Sequence, residues 1–438
     1  MSVRNSAASV ILFITIVLYA AFPPDFKGQP NLGGACGPVP GSGKPHTPVY
    51  RLWRESSLMD VRKFSIPEII FGRGGLRYAG LCARRLGAEK VFLVSDPGVE
   101  KAGWVERLMS VLAGEKLNWV YFCNVVSNPR DYQVEAGADL YKLQGADVVI
   151  ALGGGSPMDA AKGIALLASN GGLITDYEGA NRIHRPLPPM LFIPTTAGSG
   201  SDVSQFCIIT DMKRRVKMSI ISRTLVPNIS IIDPLILETK TENLIIASAV
   251  DALCHAIESY ISKIASPFTE SQSLKAIDLI VKNLKPAVEN RSLENLEQLS
   301  IASTAAGMAF SNASLGMAHA LAHSLGGIFD TLHGMVHPVL LPSVMRYNYR
   351  SCPEKTAVIG RILLGGRRRS EKSTAMAGIV RLEEFLHSFN VSVRLRDIVQ
   401  NREMLPVLSR IAENDVCLLT NPRPVTWEDF LNVCREAW

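Results

Sequence analysis

Ala151-Leu-Gly-Gly-Gly-Ser-Pro-Met-Asp-Ala-Ala-Lys162 is the stretch that decides the fold. The run leading into it, Asp147-Val-Val-Ile-Ala-Leu, reads as a buried strand; three glycines follow directly, and a helical run opens with Ser156, Pro157 and a first-turn acid, Asp159. A strand that passes into a helix through glycines forms an anion cradle. The backbone can approach a pyrophosphate closely, and the free N–H groups at the positive end of the helix dipole stabilise its charge. Ser156 before Pro157 also reads as an N-cap with proline in the first helical position. The plainer alternative is a tight turn with an ordinary cap, since the segment is neither GxGxxG nor a Walker A sequence.

Outward from this turn, β-rich runs recur at Lys90-Val-Phe-Leu-Val-Ser, Trp119-Val-Tyr-Phe-Cys, Leu191-Phe-Ile-Pro-Thr-Thr and Ile229-Ser-Ile-Ile-Asp. Gln133 to Gln144 carries apolar positions at helical spacing. The alternation of strands and helices from Met59 to Pro234 predicts a parallel α/β sheet. Two further segments fall at the same sheet edge, outside the strand C-termini, where open α/β folds bind ligands. One is Ser95-Asp96-Pro97-Gly98, in which Asp96 either accepts hydrogen bonds from an adenosine ribose or merely shapes a turn. The other is the hydroxyl-rich loop Thr195 to Asp202. Taken together, the three segments suggest a dinucleotide lying across the sheet edge.

After Asp233-Pro234 the β-rich runs stop and helical patterns take over, as at Asn243 to Ile264, Glu270 to Leu284 and Leu293 to Ser311. The domain junction is therefore placed near 235. Five of the eight histidines fall between 255 and 337, a clustering that points to a metal or catalytic site. Asp251 and His255 stand one helical turn apart on one face, and His319-x3-His323 repeats that spacing on a small-residue helix that Gly326-Gly327 is expected to end. His333 follows the break. Asp251, His255 and two or three of these histidines give an oxygen and nitrogen donor set suited to Fe(II), Zn(II) or a similar ion. Surface ion pairing and plain packing are the alternatives for each pair alone, yet both pairs lie in apolar, Ala-rich helices where unpaired Asp and His are costly to bury. His337, before Pro338, reads as structural.

The 438 residues leave room for two or three domains, and 47% hydrophobic with 20% charged residues excludes a disordered or collagenous chain. A net charge of only +6 gives no reason to expect a nucleic-acid partner. The eight cysteines are spread without a CxxC pair, which argues against a thiolate metal site and suits a reducing, cytoplasmic setting. Ala7 to Phe22 is uncharged and apolar, short for a membrane span. Residues 1–58 read either as an extension extraneous to the folded protein or as a signal or anchor, and association with a membrane is expected only if 7–22 is a real anchor.

These motifs, in this order, resemble the iron-containing (group III) alcohol dehydrogenases over essentially all of 59–438. The likeness rests on Phe71-Gly72, Ser95-Asp96, Ser127-Asn128-Pro129, Gly153-Gly154-Gly155-Ser156-Pro157-Met158-Asp159 and Pro194-Thr195-Thr196-Ala197-Gly198. It continues through Asp251-x3-His255-x2-Glu258, His319-x3-His323-x-Leu-Gly326, His333-Gly334, Thr420-Asn421-Pro422-Arg423-Pro424 and Ala437-Trp438. The resemblance implies an N-terminal α/β dinucleotide-binding domain (59–234, parallel sheet, Rossmann-like) and an all-helical metal-binding domain (235–438). It implies Asp251, His255, His319 and His333 as ligands of Fe(II), with zinc possible. It makes His323 a proton-relay or positioning residue. Asp96, Asn128, Gly154, Gly155, Ser156, Asp159, Thr195, Thr196 and Lys217 would contact NAD, and an acid at 96 goes with NAD over NADP. The implied reaction is hydride transfer between a short primary alcohol and the nicotinamide, or aldehyde reduction in reverse, in a dimer or larger homo-oligomer. A metal-independent maleylacetate-reductase-like enzyme and a slow regulatory sensor are the competing functions. Ser201-Asp202 departs from the family pattern, which usually has Glu there, and Gly365-Gly366-Arg367-Arg368-Arg369 is a basic loop read as a solvated turn.

Overall fold

The apolar runs of the first half become strands of a parallel sheet whose interior members are covered on both faces. In the computed structural model, residues 63–331, 333–366, 370–389 and 394–438 are described. The strands are β1 (Glu68–Phe71), β2 (Lys90–Val94), β3 (Asn118–Phe122), β4 (Val148–Gly153), β5 (Gly179–Ala180), β6 (Met190–Pro194), β7 (Phe206–Asp211), β8 (Val216–Ile221) and β9 (Ile229–Ile232). Six form one sheet in the order β1-β9-β6-β4-β2-β3, every neighbouring pair parallel. Because side chains alternate along a strand, Val91 and Leu93 pack on one face while Phe92 and Val94 pack on the other.

The helices of this half are α1 (Ala79–Arg85), α2 (Pro97–Lys101), α3 (Trp104–Gly114), α4 (Asp131–Gln144) and α5 (Gly155–Asn170). Leu108 and Leu112 of α3 cover the Val91 face, and Val134 of α4 with Ile164 of α5 cover the Phe92 face. Burial on both sides explains why these strands read as continuous apolar runs. The chain goes from β2 outward to β3 and then crosses to β4 on the other side, so the C-terminal ends of β2 and β4 flank a crevice at the reversal point. The turns at Asp96 and Gly154 lie there.

A second, small sheet, β5-β8-β7, pairs β7 with β8 antiparallel, with Ile209 opposite Met218. It was not anticipated. Strands β7 and β8 are joined by the polar turn Met212-Lys-Arg-Arg215, and Lys217 and Ser219 break the apolar run of β8.

Ten helices follow among the described residues: α6 (Glu242–Ile261), α7 (Pro267–Asn290), α8 (Leu293–Ala313), α9 (Met317–Phe329), α10 (His337–Asn348), α11 (Pro353–Leu363), α12 (Glu371–His387), α13 (Leu395–Ile398), α14 (Leu405–Ala412) and α15 (Trp427–Glu436). Thr241 caps α6 by accepting from Leu244 N–H. By length and composition α6 could cross a membrane, but 89% of its most apolar window is buried here, as expected of a helix that is hydrophobic all round at the centre of a bundle. Residues Phe64–Trp438 form one compact unit. The segments 7–22 and Arg367–Arg369 lie outside the described residues.

Two local expectations are corrected. Ser156 is not the N-cap: α5 starts at Gly155 behind Gly154, and Ser156 Oγ instead accepts from Asn128 N–H at 3.2 Å. Gly326-Gly327 does not end α9, which continues to Phe329. A Cβ at Gly326 would lie 2.7 Å from Lys217 Nζ, and one at Gly327 2.9 Å from the Arg215 carbonyl. The glycine pair lets β8 lie directly against the helix, and that contact carries Lys217 toward the helical half.

Within the decisive motif, Lys162 is fully buried and donates to the carbonyls of Ser204 (2.9 Å) and Phe206 (2.7 Å), tying α5 to the start of β7. Burial pushes its pKa down, while Asp159 pulls it back. Removing one member of such a buried charged network costs about 3–5 kcal/mol. Lys162→Met is expected to lose about that much stability in urea unfolding; a change below about 0.5 kcal/mol would show that the ammonium is dispensable.

Candidate metal and dinucleotide site

Five side chains from four segments meet in the helical half. Asp251 and His255 project from α6, His319 from α9, His333 from the short turn His333–Met335, and His337 from the first residue of α10. Asp251 Oδ1 lies 3.9, 3.8, 3.7 and 3.0 Å from the Nε2 atoms of His255, His319, His333 and His337. The donor atoms of Asp251, His319, His333 and His337 fall within 4.8 Å of one another. His255 stands slightly apart, its ring stacked on His319 at 4.5 Å and on Phe310 at 4.3 Å. Neither Asp251 Oδ1 nor His319 Nε2, both buried, makes an aligned hydrogen bond. Buried polar atoms without partners are rare, and a converging set of them is what a divalent ion would satisfy. These residues fit such an ion.

Electrostatics keeps the carboxylate charged and two of the rings neutral. Burial pushes the Asp251 carboxyl up, but the surrounding imidazoles outweigh it and hold the group well below its usual value, so the carboxylate stays ionised. Burial lowers His255 to about 3 despite Asp251, and holds His333 well below the usual histidine value. Both rings are therefore neutral near pH 7 and have lone pairs to offer. Burial also opposes charge on His319, but Cys254, Asp251 and Glu258 outweigh it and hold that ring well above its usual value.

A second layer fixes the rings. Glu258, buried on α6, accepts from His319 Nδ1 at 2.6 Å, from Ala318 N–H at 2.7 Å and from Gly316 N–H at 3.2 Å. One carboxylate thus caps the start of α9 and orients the imidazole that α9 carries. His323, one turn further, gives Nδ1 to Asp415 Oδ2 at 2.8 Å, and Asp415 also accepts from Cys417 N–H. This leaves Nε2 of His323 for the cleft.

That cleft has a volume of about 740 Å³ and runs from the sheet edge to the histidine cluster. Every residue named on sequence for the dinucleotide lines it (Asp96, Asn128, Gly154, Gly155, Ser156, Asp159, Thr195, Thr196 and Lys217), as do Asp251, His255, His319, His333 and His323. Their local roles differ. Asp96 Oδ1 accepts from Gly98 and Val99 N–H, so it does shape the turn and cap α2 while also facing the cleft. Asp159 is held by Ser201 Oγ and Ile208 N–H, while Asp202 accepts from Ser230 Oγ; the departure at Ser201-Asp202 is thereby given an internal use. Thr195 Oγ1 is buried and has no partner. Asn128 Nδ2 donates to Asp330 on the α9 C-cap, which also pairs with Arg130 at 2.7 Å.

Sequence reasoning missed three residues. His337 was set aside as structural, although it stands four residues from His333, the same spacing used to pair His319 with His323. Glu258, two turns beyond Asp251, carried no assigned role. Asp415 is 92 residues from His323 and left no local signal.

With this geometry in view, comparison with known proteins decides the family. A sequence family described as iron-containing alcohol dehydrogenase matches 67–234, and one described as the C-terminal part of the Fe-containing alcohol dehydrogenase family matches 245–438. The chain belongs to the iron-containing alcohol dehydrogenase family. It is 35% identical to the NAD-dependent methanol dehydrogenase of Bacillus methanolicus over 378 residues, 85% of this chain and 99% of that protein. It is 36% identical to the 1,3-propanediol dehydrogenase of Citrobacter freundii, covering 87% of this chain and 100% of the relative. The crystal structure of a 1,3-propanediol oxidoreductase superposes with a TM-score of 0.83 at 34% identity, covering 86% of this chain and all of that one.

Within this iron-type alcohol dehydrogenase, Gly334 is the residue that lets the His333 turn close. A Cβ there would sit 2.3 Å from the Ala247 carbonyl oxygen on α6, and backbone cannot yield as a flexible side chain does. Gly334→Ala is expected to push His333 off the cluster. Elemental analysis should find at least tenfold less bound metal in a protein whose circular dichroism is unchanged. Full metal occupancy in that variant would show that the close approach is not needed.

Proposed function

We propose that this protein is a metal-dependent, NAD(H)-linked alcohol dehydrogenase or aldehyde reductase acting on short primary alcohols. In this reading Asp251, His255, His319 and His333 hold the ion, residues 59–234 form the domain that binds the dinucleotide, and 235–438 carry the metal site. The observation that carries it is the single cleft joining an unpaired buried carboxylate, ringed by imidazoles, to the glycine turn at the sheet edge. The names of the relatives agree: they act on methanol and 1,3-propanediol, and one is NAD-dependent. Iron is favoured by the family description, and the same donors accept zinc.

When bound, the divalent ion supplies Lewis-acid polarisation of the substrate oxygen and the nicotinamide exchanges a hydride with the adjacent carbon. The chain's own groups do the rest. Gly154, Gly155 and Ser156 offer backbone N–H groups at the start of α5 to the pyrophosphate. Asp96 presents a carboxylate that accepts ribose hydroxyls and repels a 2′-phosphate. Glu258 fixes His319 with Nε2 turned to Asp251. His323, steadied by Asp415, passes the hydroxyl proton between cleft and solvent through Nε2.

The test is elemental analysis of protein purified without added metal, followed by NADH oxidation across a panel of short aldehydes. Stoichiometric iron or zinc with turnover is expected, and His319→Ala should lose both while still binding NADH. Metal without turnover on any aldehyde would sink the enzyme reading in favour of a sensor.

Lys217 gives a pH dependence. Burial lowers its pKa to about 8, with Asp251, Asp330 and Asp159 pulling it back up. The side chain is therefore cationic below about pH 8 and neutral above it. NADH affinity, followed by fluorescence titration, should weaken as pH rises from 7 to 9, and Lys217→Met should flatten the profile; the same slope in the variant would assign it to another group.

A further inference from the structure

We propose that His337 is a fifth protein donor to the ion, binding it from the side away from the cleft. The inference rests on the metal-site reading above and extends it. Of the four imidazoles around Asp251 Oδ1, that of His337 is nearest, at 3.0 Å. Its Nε2 is 3.4 Å from His333 Nε2. Two nitrogens each about 2.1 Å from one ion stand about 3.0 to 3.6 Å apart at the 90–120° angles of a five-coordinate shell, so the spacing suits a shared ion. The ring is completely buried, lies 4.4 Å from His319 and 4.8 Å from His333 between centroids, and its Nδ1 has no partner. Burying an imidazole with one ring nitrogen unpartnered is costly, and an ion shared with Asp251 would give Nε2 a stronger partner than the carboxylate alone.

Position distinguishes His337 from the other four. Asp251, His255, His319 and His333 line the cleft, whereas His337 does not. A bond from His337 therefore closes the floor of the site and leaves the cleft-facing position for substrate oxygen. As the first residue of α10, immediately before Pro338, it belongs to a twelve-residue helix, whereas His333 stands in the short turn before it. The competing role is a positioning one, in which His337 only hydrogen-bonds Asp251.

Cobalt separates these roles, because five-coordinate Co(II) absorbs visible light several-fold more weakly than four-coordinate Co(II). The full chain is stripped of metal and loaded with Co(II). The wild-type protein should show the weaker bands and four hyperfine-shifted imidazole N–H resonances in its proton NMR spectrum. His337→Asn should show stronger bands, three such resonances and at least tenfold weaker Co(II) binding. Three resonances in the wild type, or the wild-type absorption retained in His337→Asn, would overturn the proposal. So would wild-type bands in His337→Gln, whose amide can still donate to Asp251. The wild-type resonance count needs no variant to fold. A wild-type protein that takes up no Co(II) overturns the metal-site reading itself, and this proposal with it; failure of His337 alone leaves Co(II) bound with three histidines.

Discussion

Asp251 is an ionised carboxylate buried in a strongly apolar helix, and the helical half of the site is arranged around that charge. An isolated carboxylate moved from water into such surroundings is disfavoured by something on the order of tens of kcal/mol, unless it is paired, protonated or bound to a cation. Four imidazole nitrogens within 3.9 Å partly meet the demand. They do so without a settled hydrogen-bond pattern, and Asp251 Oδ1 and His319 Nε2 are left unpaired. A divalent ion resolves both deficits at once, since it supplies the positive charge and takes the lone pairs. The unmet bonding capacity of these buried atoms is thus evidence for what the arrangement holds.

Holding five such groups together needs close backbone approach, and glycines provide it. Gly334 brings the His333 turn against the Ala247 carbonyl of α6, and Gly326 and Gly327 bring β8 against α9. The second contact links the two halves of the cleft. It places Lys217, a residue of the small sheet, among acids from both halves: Asp159 from α5, Asp251 from α6 and Asp330 from the end of α9. In the proposed reaction a nicotinamide held by the first half must reach the carbinol carbon of a substrate held by the second, so larger side chains at these positions would separate the reactants.

The sequence was most legible where one period or one motif dominates. The continuous runs of β2, β4, β6 and β9 gave the parallel sheet because strands covered on both faces have no polar face to disguise them. The glycine turn marked the crevice because glycines directly after a buried strand let the backbone line a cleft closely. The β7–β8 pair escaped because Lys217 and Ser219 interrupt its pattern, and Lys217 is there for the cleft rather than for the sheet. Ser156 and Gly326 were misjudged by rules of local capping that tertiary contacts overrode, the first by Asn128 and the second by β8. Residues joined only in space, such as His323 with Asp415, had no sequence trace at all.

His337 shows why donor counting from sequence stops short. Its spacing from His333 repeats the four-residue interval already used at Asp251–His255 and His319–His323, so the signal was present. Pro338 hid it, because a proline after a histidine reads as a boundary, and a boundary residue is not expected to face a core. In the fold the boundary is the reason it faces the core: α10 begins there, and its first residue, fully buried, meets Asp251 Oδ1 at 3.0 Å. His337 belongs to a twelve-residue helix and His333 to a three-residue turn, so in the proposed site the donor farthest from substrate is carried by the longer element. That ordering lets the ion be fixed from behind while the cleft side stays adaptable, which is what a site exchanging alcohol for aldehyde at each turnover requires.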